Sequence, residues 1–220
     1  MKKEFEVPQL FKNKVKFIRC LDNINQLEKF YSEFENLQGF AFFGRSNVGK
    51  SSLINALFGK KTARVSNTPG RTRAVNVFTL EINEDTFYIF DLPGYGHAEV
   101  SKTMKKLWNQ MMGIFFSKSG KGILFVQIQD ARHPQQKADL QFSQFIQDYT
   151  SNDTFLLFNK IDKLKKQKEK AALGKIKKQI LNEYNWVKQI HYISAESKEG
   201  LINLEQAMEN HLKVNIYNEK

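Results

Sequence analysis

Cysteine is nearly absent. Cys20 is the single one in 220 residues, so no disulfide can form within the chain and nothing in it calls for an oxidising compartment. The four histidines, His97, His133, His191 and His211, lie far apart without ligand spacing, which argues against a zinc site. No apolar run approaches the roughly 20 residues of a membrane-spanning helix. Met1 to Leu10 carries acids and a proline where a secretory leader would carry an apolar core. No repeat, linker or low-complexity tract divides the chain. Acids are scarce beside bases: 23 Asp and Glu against 34 Lys and Arg leave a net charge of +11, a balance that favours polyanionic partners. These absences lead to the expectation of a cytoplasmic chain, monomeric and without membrane attachment, whose residues 1–220 form one domain with 1–38 as an N-terminal extension packed on it.

What is present alternates between strand and helix. Phe5 to Cys20 is mixed and reads as extended chain lying along the domain, and Asn25 to Glu35 has helical apolar spacing. Phe40 to Phe43 is a compact apolar run ending at Gly44, as a buried strand would. Lys50 to Phe58 reads as a helix. Residues 59–73 are polar, basic and glycine- and proline-bearing, hence a loop. Val75 to Ile82 and Thr86 to Phe90 are joined by Asn83-Glu84-Asp85 and predict an antiparallel hairpin. A helix ending near Ser117, a strand over 122–128, a helix over 134–149, a strand over 155–158, a lysine-rich helix over 165–184, a strand over 189–193 and a helix over 201–212 complete the pattern. The abundant phenylalanines, 19 in all, fall within these strands and helix faces and read as core. The class is α/β, with a mainly parallel six-stranded sheet containing one antiparallel strand and helices on both faces. Ligands of such sheets bind at the carboxyl ends of the strands.

Four segments fall at those ends. Gly44-Arg45-Ser46-Asn47-Val48-Gly49-Lys50-Ser51 matches G-x-x-x-x-G-K-[ST] between a strand and a helix, the context a P-loop requires. Its amides can curl around phosphate oxygens at a helix N-terminus; Lys50 supplies a point charge, and the Ser51 hydroxyl suits Mg²⁺. Asp91-Leu92-Pro93-Gly94 follows the next strand. Its carboxylate can face the Mg²⁺ shell, and its glycine can bring an amide to a γ-phosphate. Asn159-Lys160-Ile161-Asp162 follows a later strand. Guanine presents N1–H and a 2-amino group side by side, and the Asp162 carboxylate can accept from both, which adenine cannot satisfy. Asn159 would brace the loops, and the Lys160 stem would cover the base. Ser194-Ala195-Glu196 follows the last strand, whose final residue Ile193 joins the expected binding residues, and the Ala195 N–H can reach guanine O6.

In this order the four segments resemble translation-factor-class GTPases, a P-loop NTPase superfamily. Thr68-Pro-Gly-Arg-Thr-Arg-Ala74, Asn76-Val-Phe78, Asp91-Leu-Pro-Gly-Tyr-Gly96 and the P-loop itself resemble the EngB/YsxC/YihA group of bacterial ribosome-biogenesis GTPases, over about Phe5 to Leu212. The resemblance implies Mg²⁺-dependent GTP and GDP binding, GTP hydrolysis, and a role in assembly of the large ribosomal subunit and in cell division, with ribosomal RNA the expected contact. It implies that Gly70, Arg71, Thr72, Arg73 and Ala74 form the first switch, and that Thr72 joins Ser51 and Asp91 at the metal. Lys50 and Thr72 are the expected catalytic residues. Arg73 stands where members of the group usually carry Gln.

Tyr95 follows Gly94 at the position where Ras-like proteins place a water-holding Gln, so slow intrinsic turnover is expected. Asn47 either binds a K⁺ that supplies the missing charge, as in several related GTPases, or only shapes the loop. The run Lys163 to Lys178 holds eight lysines and one acid, a face suited to RNA phosphates or merely a solvated one. An RNA-binding scaffold with structural nucleotide is the alternative to an enzyme-switch.

Overall fold

The computed structural model describes residues 8–12, 14–59, 62–63, 74–96, 102–147 and 152–218. The expected first-switch residues Gly70, Arg71, Thr72 and Arg73 lie outside these; Ala74 lies inside and is buried.

Seven strands form one sheet: β1 (Val15–Leu21), β2 (Gly39–Gly44), β3 (Val75–Ile82), β4 (Asp85–Asp91), β5 (Ile123–Asp130), β6 (Thr154–Asn159) and β7 (Val187–Tyr192). The order across the sheet is β1-β3-β4-β2-β5-β6-β7. Strand β3 pairs antiparallel with both β1 and β4, and every other pairing is parallel, so β3 alone runs against the rest. The sequence suggested six strands. The seventh is β1, drawn from the N-terminal segment that read only as extended. Its outer residues are half-exposed to exposed, so it lacks the buried or alternating pattern of a strand.

The helices are α1 (Ile24–Glu33), α2 (Lys50–Phe58), α3 (Lys102–Lys118), α4 (Lys137–Gln147), α5 (Gln167–Glu183) and α6 (Leu201–Asn218). Residues of β2 split by parity, as a pleated strand must: Phe40 and Phe42 join the core beneath α2 and α6, and Ala41 and Phe43 join the core beneath α1, α3 and α4. Helix α5 covers the same side further along, with Leu173 and Ile180 against Leu156 and Phe158. Helix α4 begins three residues later than expected from Pro134, because Gln135 takes φ +53, a left-handed turn that cannot continue a helix. The N-terminal segment reaches the core through Phe11, fully buried against Phe40 and Phe58. Its backbone is tied down by the Glu205 carboxylate, which accepts from the Gln9 and Phe11 N–H groups at 3.2 Å each. No described helix is long and apolar enough to cross a membrane.

The chain leaves β2 toward β4 on one side and returns to β5 on the other. The strand order therefore reverses beside β2, which opens a crevice at its carboxyl end.

Candidate nucleotide-binding site

The P-loop occupies that crevice. Gly44 ends β2 with no room for a side chain, since a Cβ would lie 2.5 Å from the Ile128 carbonyl oxygen. Val48 is buried and donates its N–H back to the Arg45 carbonyl at 3.3 Å. Asn47 takes φ +66, a conformation that Asn tolerates better than most residues. Gly49 caps α2 at φ +96, leaving the first amides of α2 without intrahelical partners and aimed into the crevice. Lys50 and Ser51 begin the helix. The Lys50 ammonium pairs with the Asp91 carboxylate, which is buried at the end of β4. Two expected site residues thus meet at the mouth of the loop.

Leu92, Pro93 and Gly94 continue past Asp91 along the P-loop. Leu92 donates to the Phe42 carbonyl at 3.0 Å, Tyr95 donates to the Gly44 carbonyl at 3.3 Å, and Ser46 donates to the Tyr95 carbonyl at 3.3 Å. Gly94 lies so close that a Cβ would meet Ser46 Oγ at 2.9 Å. The side chain of Tyr95 turns away from this contact and is 7% exposed. It stacks on Phe142 of α4, with ring centroids 4.2 Å apart.

The third and fourth segments close the opposite side. Asn159, 1% exposed at the end of β6, donates through Nδ2 to the Val48 carbonyl at 2.9 Å; its Oδ1 accepts from Lys160 N at 2.8 Å and Ala195 N at 3.0 Å. One side chain thus joins the P-loop to both base-side loops. The Ala195 N–H, expected to face a base oxygen, is engaged with Asn159. Lys160, at φ +68, lays its side chain across to the P-loop: its Nζ donates to the Asn47 carbonyl and sits 3.0 Å from the Asp130 carboxylate. Asp162 is oriented by the Ser194 hydroxyl, which donates at 2.6 Å, and lies 3.3 Å from Lys163 Nζ. Ile161 donates its N–H to the Ile193 carbonyl at 3.2 Å, fixing one loop to the other.

Three residues that carried no motif belong to this arrangement. Asp130, at the end of β5, accepts from Arg132 at 2.6 Å and holds Lys160. Burial pushes its carboxyl up, but the hydrogen bonds from Arg132 and Lys160 outweigh burial and hold it below the usual carboxylate range. Asp139 of α4 accepts from Arg45 Nε at 2.8 Å and from the Tyr95 hydroxyl at 3.0 Å. Burial raises its carboxyl against the pull of Arg45. Gln127 of β5 donates to the Tyr95 oxygen at 3.2 Å. Burial, then the neighbouring Asp139, keep the Tyr95 phenol well above its ordinary range, so at neutral pH it is a donor. Arg45 therefore contributes only its backbone to the loop; its guanidinium goes to α4 and to the His133 carbonyl. The sequence did carry a signal for Asp139: it shares a helical face with Phe142, Ser143 and Ile146, all buried, so a carboxylate sits on the inner stripe of the helix.

The arrangement offers amides and a lysine to a polyphosphate, and a buttressed carboxylate to a purine edge. Comparison with known proteins points the same way. The family described as 50S ribosome-binding GTPase matches residues 39–160. The probable GTP-binding protein EngB of Fusobacterium nucleatum subsp. nucleatum is 43% identical over 155 residues, 70% of this chain and 77% of that protein. That of Aliarcobacter butzleri is 32% identical over 207 residues, 90% of this chain and 96% of that protein. Among solved structures, an Era variant from Aquifex aeolicus bound to GDP.AlF4- aligns with a TM-score of 0.62 at 25% identity, covering 81% of this chain and 57% of that one. Era in complex with MgGDPNP and nucleotides 1506-1542 of 16S ribosomal RNA aligns with a TM-score of 0.60 at 27% identity, covering 82% and 57%.

Proposed function

The chain belongs to the EngB GTP-binding proteins within the 50S ribosome-binding GTPase family and is a GTPase; on that premise we propose that it is a Mg²⁺-dependent switch whose GTP and GDP forms differ in affinity for an assembling large ribosomal subunit. The observation that carries the switch reading is the direct packing of Gly94 on the P-loop at Ser46. A glycine amide held there can register whether a terminal phosphate is present. The ribosomal reading is supported by the family's description and by the lysines that α5 turns outward.

In this reading the P-loop amides and Lys50 hold the phosphates. Asp162, fixed by Ser194, accepts from the two guanine donors, and Lys160 covers the base from its seat on Asp130. The donor set fits a hard cation, because Ser51 and Asp91 offer hydroxyl and carboxylate oxygens beside the phosphate loop. Thr72, the third expected ligand, lies outside the described residues, and phosphate and water would complete the shell, as is usual for Mg²⁺. When bound, the ion neutralises charge that develops on the phosphate oxygens. Phosphoryl transfer is mostly positioning and electrostatics. Tyr95, with its hydroxyl committed to Asp139, offers nothing to an attacking water, and intrinsic turnover is therefore slow.

Co-sedimentation with purified large ribosomal subunits, run with a non-hydrolysable GTP analogue and with GDP, tests the proposal. Retention with the analogue and release with GDP is the expected result. Equal recovery in both, or none in either, would overturn it.

A further inference from the structure

Asp139 is 0% exposed although it stands near the start of a surface helix. A carboxylate so placed is costly unless it is paired and hydrogen-bonded. Each of its oxygens is used. Oδ2 accepts from Arg45 Nε at 2.8 Å and from the Gln136 N–H at 3.1 Å, while Oδ1 accepts from the Tyr95 hydroxyl at 3.0 Å. The Arg45 fork is extended by a 2.9 Å bond to the His133 carbonyl, and the tyrosine oxygen accepts from Gln127 at 3.2 Å. Phe142, on the same face as Asp139, carries the tyrosine ring in a stack inclined by only 10°.

The two residues that Asp139 grips are neighbours across the site. Arg45 is the second residue of the P-loop and Tyr95 follows Gly94, and their backbones form an isolated parallel bridge. Gly94 sits beside that bridge. Its distance from the P-loop is therefore set by main-chain bonds that are weak singly, at 3.3 Å each, and by the side-chain clamp beneath them. Buried polar networks of this kind rigidify what they join, and both oxygens of Asp139 are matched here, while Gln127 Oε1 has no partner among the described residues.

We infer that Asp139 is a positioning residue for GTP hydrolysis: by holding Arg45 on one oxygen and Tyr95 on the other, it fixes the Gly94 amide against the P-loop. The inference rests on the reading that this chain hydrolyses GTP at that loop. Asp139 itself touches no reacting atom. GDP, which lacks the terminal phosphate, is held by the P-loop amides and the base pocket and is indifferent to the clamp.

The test separates chemistry from binding. Single-turnover hydrolysis and GDP affinity are measured on purified wild type, Asp139→Ala, Asp139→Asn and Tyr95→Phe. Asp139→Ala is expected to slow hydrolysis by about tenfold or more, as a transition-state interaction drifts out of place, while GDP affinity changes by less than about threefold. Tyr95→Phe keeps the ring on Phe142 and removes only the hydroxyl, and is expected to show the same split at smaller size. Asp139→Asn is expected to recover most of the rate. Its oxygen can keep Arg45 and Gln136 while its amide donates to the tyrosine oxygen, and the Gln127 amide, which now donates to that oxygen through Nε2, can turn over so that its otherwise unpartnered Oε1 accepts the phenol proton. A purely structural role would instead lower hydrolysis, GDP affinity and melting temperature together, and that result, or wild-type hydrolysis in Asp139→Ala, would overturn the inference. Should Asp139→Ala not fold, Tyr95→Phe decides alone: an unchanged rate at unchanged GDP affinity refutes the clamp. Absence of turnover in the wild type would refute the GTPase reading instead.

Discussion

At the scale of single residues, the site depends on contacts too short to admit one more carbon atom. Gly49 shows this most clearly. It combines φ +96 with a notional Cβ only 2.4 Å from Asn159 Nδ2, the atom that braces the P-loop through the Val48 carbonyl. Gly49→Ala would strain the cap of α2 and displace the one side chain joining phosphate and base loops. GDP affinity in a direct titration is expected to fall at least about 100-fold, or about 2.7 kcal/mol, and an affinity within threefold of wild type would show that Asn159 is not the brace. Glycine and asparagine here were legible from the sequence because each sits in a motif whose order is informative. Asp130 and Gln127 were not, and Asp139 showed only as an acid on the inner stripe of α4, because a motif records its own residues, whereas these three hold motif residues in place from outside it.

At the scale of elements, the buried strands and the hairpin were readable because their apolar runs are bounded by turn residues. Strand β1 was missed because its bonding to β3 is decided by tertiary contact, with Phe17 and Ile18 left exposed. The start of α4 was placed too early because the left-handed turn at Gln135 has no signature in a Pro-Gln-Gln run. The opposite edge of the sheet gives a prediction of its own. His191 on β7 lies beside the Phe155 ring at 5.3 Å. Burial first, then the charge of Lys177, hold its imidazole down to about 4. His211 of α6 is lowered too, by burial, against the opposing pull of Asp153 and of a Gly122 backbone contact. The unfolded chain takes up these protons near pH 6.5, whereas the folded chain resists until the pH approaches the lowered values. Folding stability is therefore full above about pH 6.5 and declines as the pH falls toward 4. With part of the cost screened by water, His191 accounts for about 1 to 2 kcal/mol of that decline. Urea unfolding at pH 7.5, 6 and 5 should show the loss, and His191→Gln should flatten it; an equal slope in the variant would assign the effect elsewhere.

At the scale of the whole molecule, the net charge of +11 is not spread evenly. Helix α5 buries Leu173 and Ile180 on one face and turns Lys168, Lys175 and Lys178 to the other, where none forms an ion pair among the described residues. These three recur at near-helical spacing, so they present one stripe of charge rather than a scatter. The same helix is joined to the base pocket: Leu173 packs in one cluster with Phe158, the residue before Asn159, and its carbonyl accepts from the Tyr192 hydroxyl at 3.3 Å. An RNA-facing stripe here would therefore be separate from the nucleotide by side chain yet coupled to it by packing. Neutralising the stripe distinguishes a binding face from a merely solvated one. For Lys168, Lys175 and Lys178 all changed to Gln, GDP affinity should stay within about twofold, because none of the three reaches the pocket. Each RNA phosphate that a lysine no longer neutralises takes roughly 0.7 to 0.9 off the slope of log affinity against log salt. Binding to large subunits, followed by co-sedimentation from about 50 to 300 mM salt, should then drop by about 2 to 3 units of that slope. If the slope is unchanged while binding persists, the polyanion is held by another surface of the molecule, and the lysines of α5 serve only solubility.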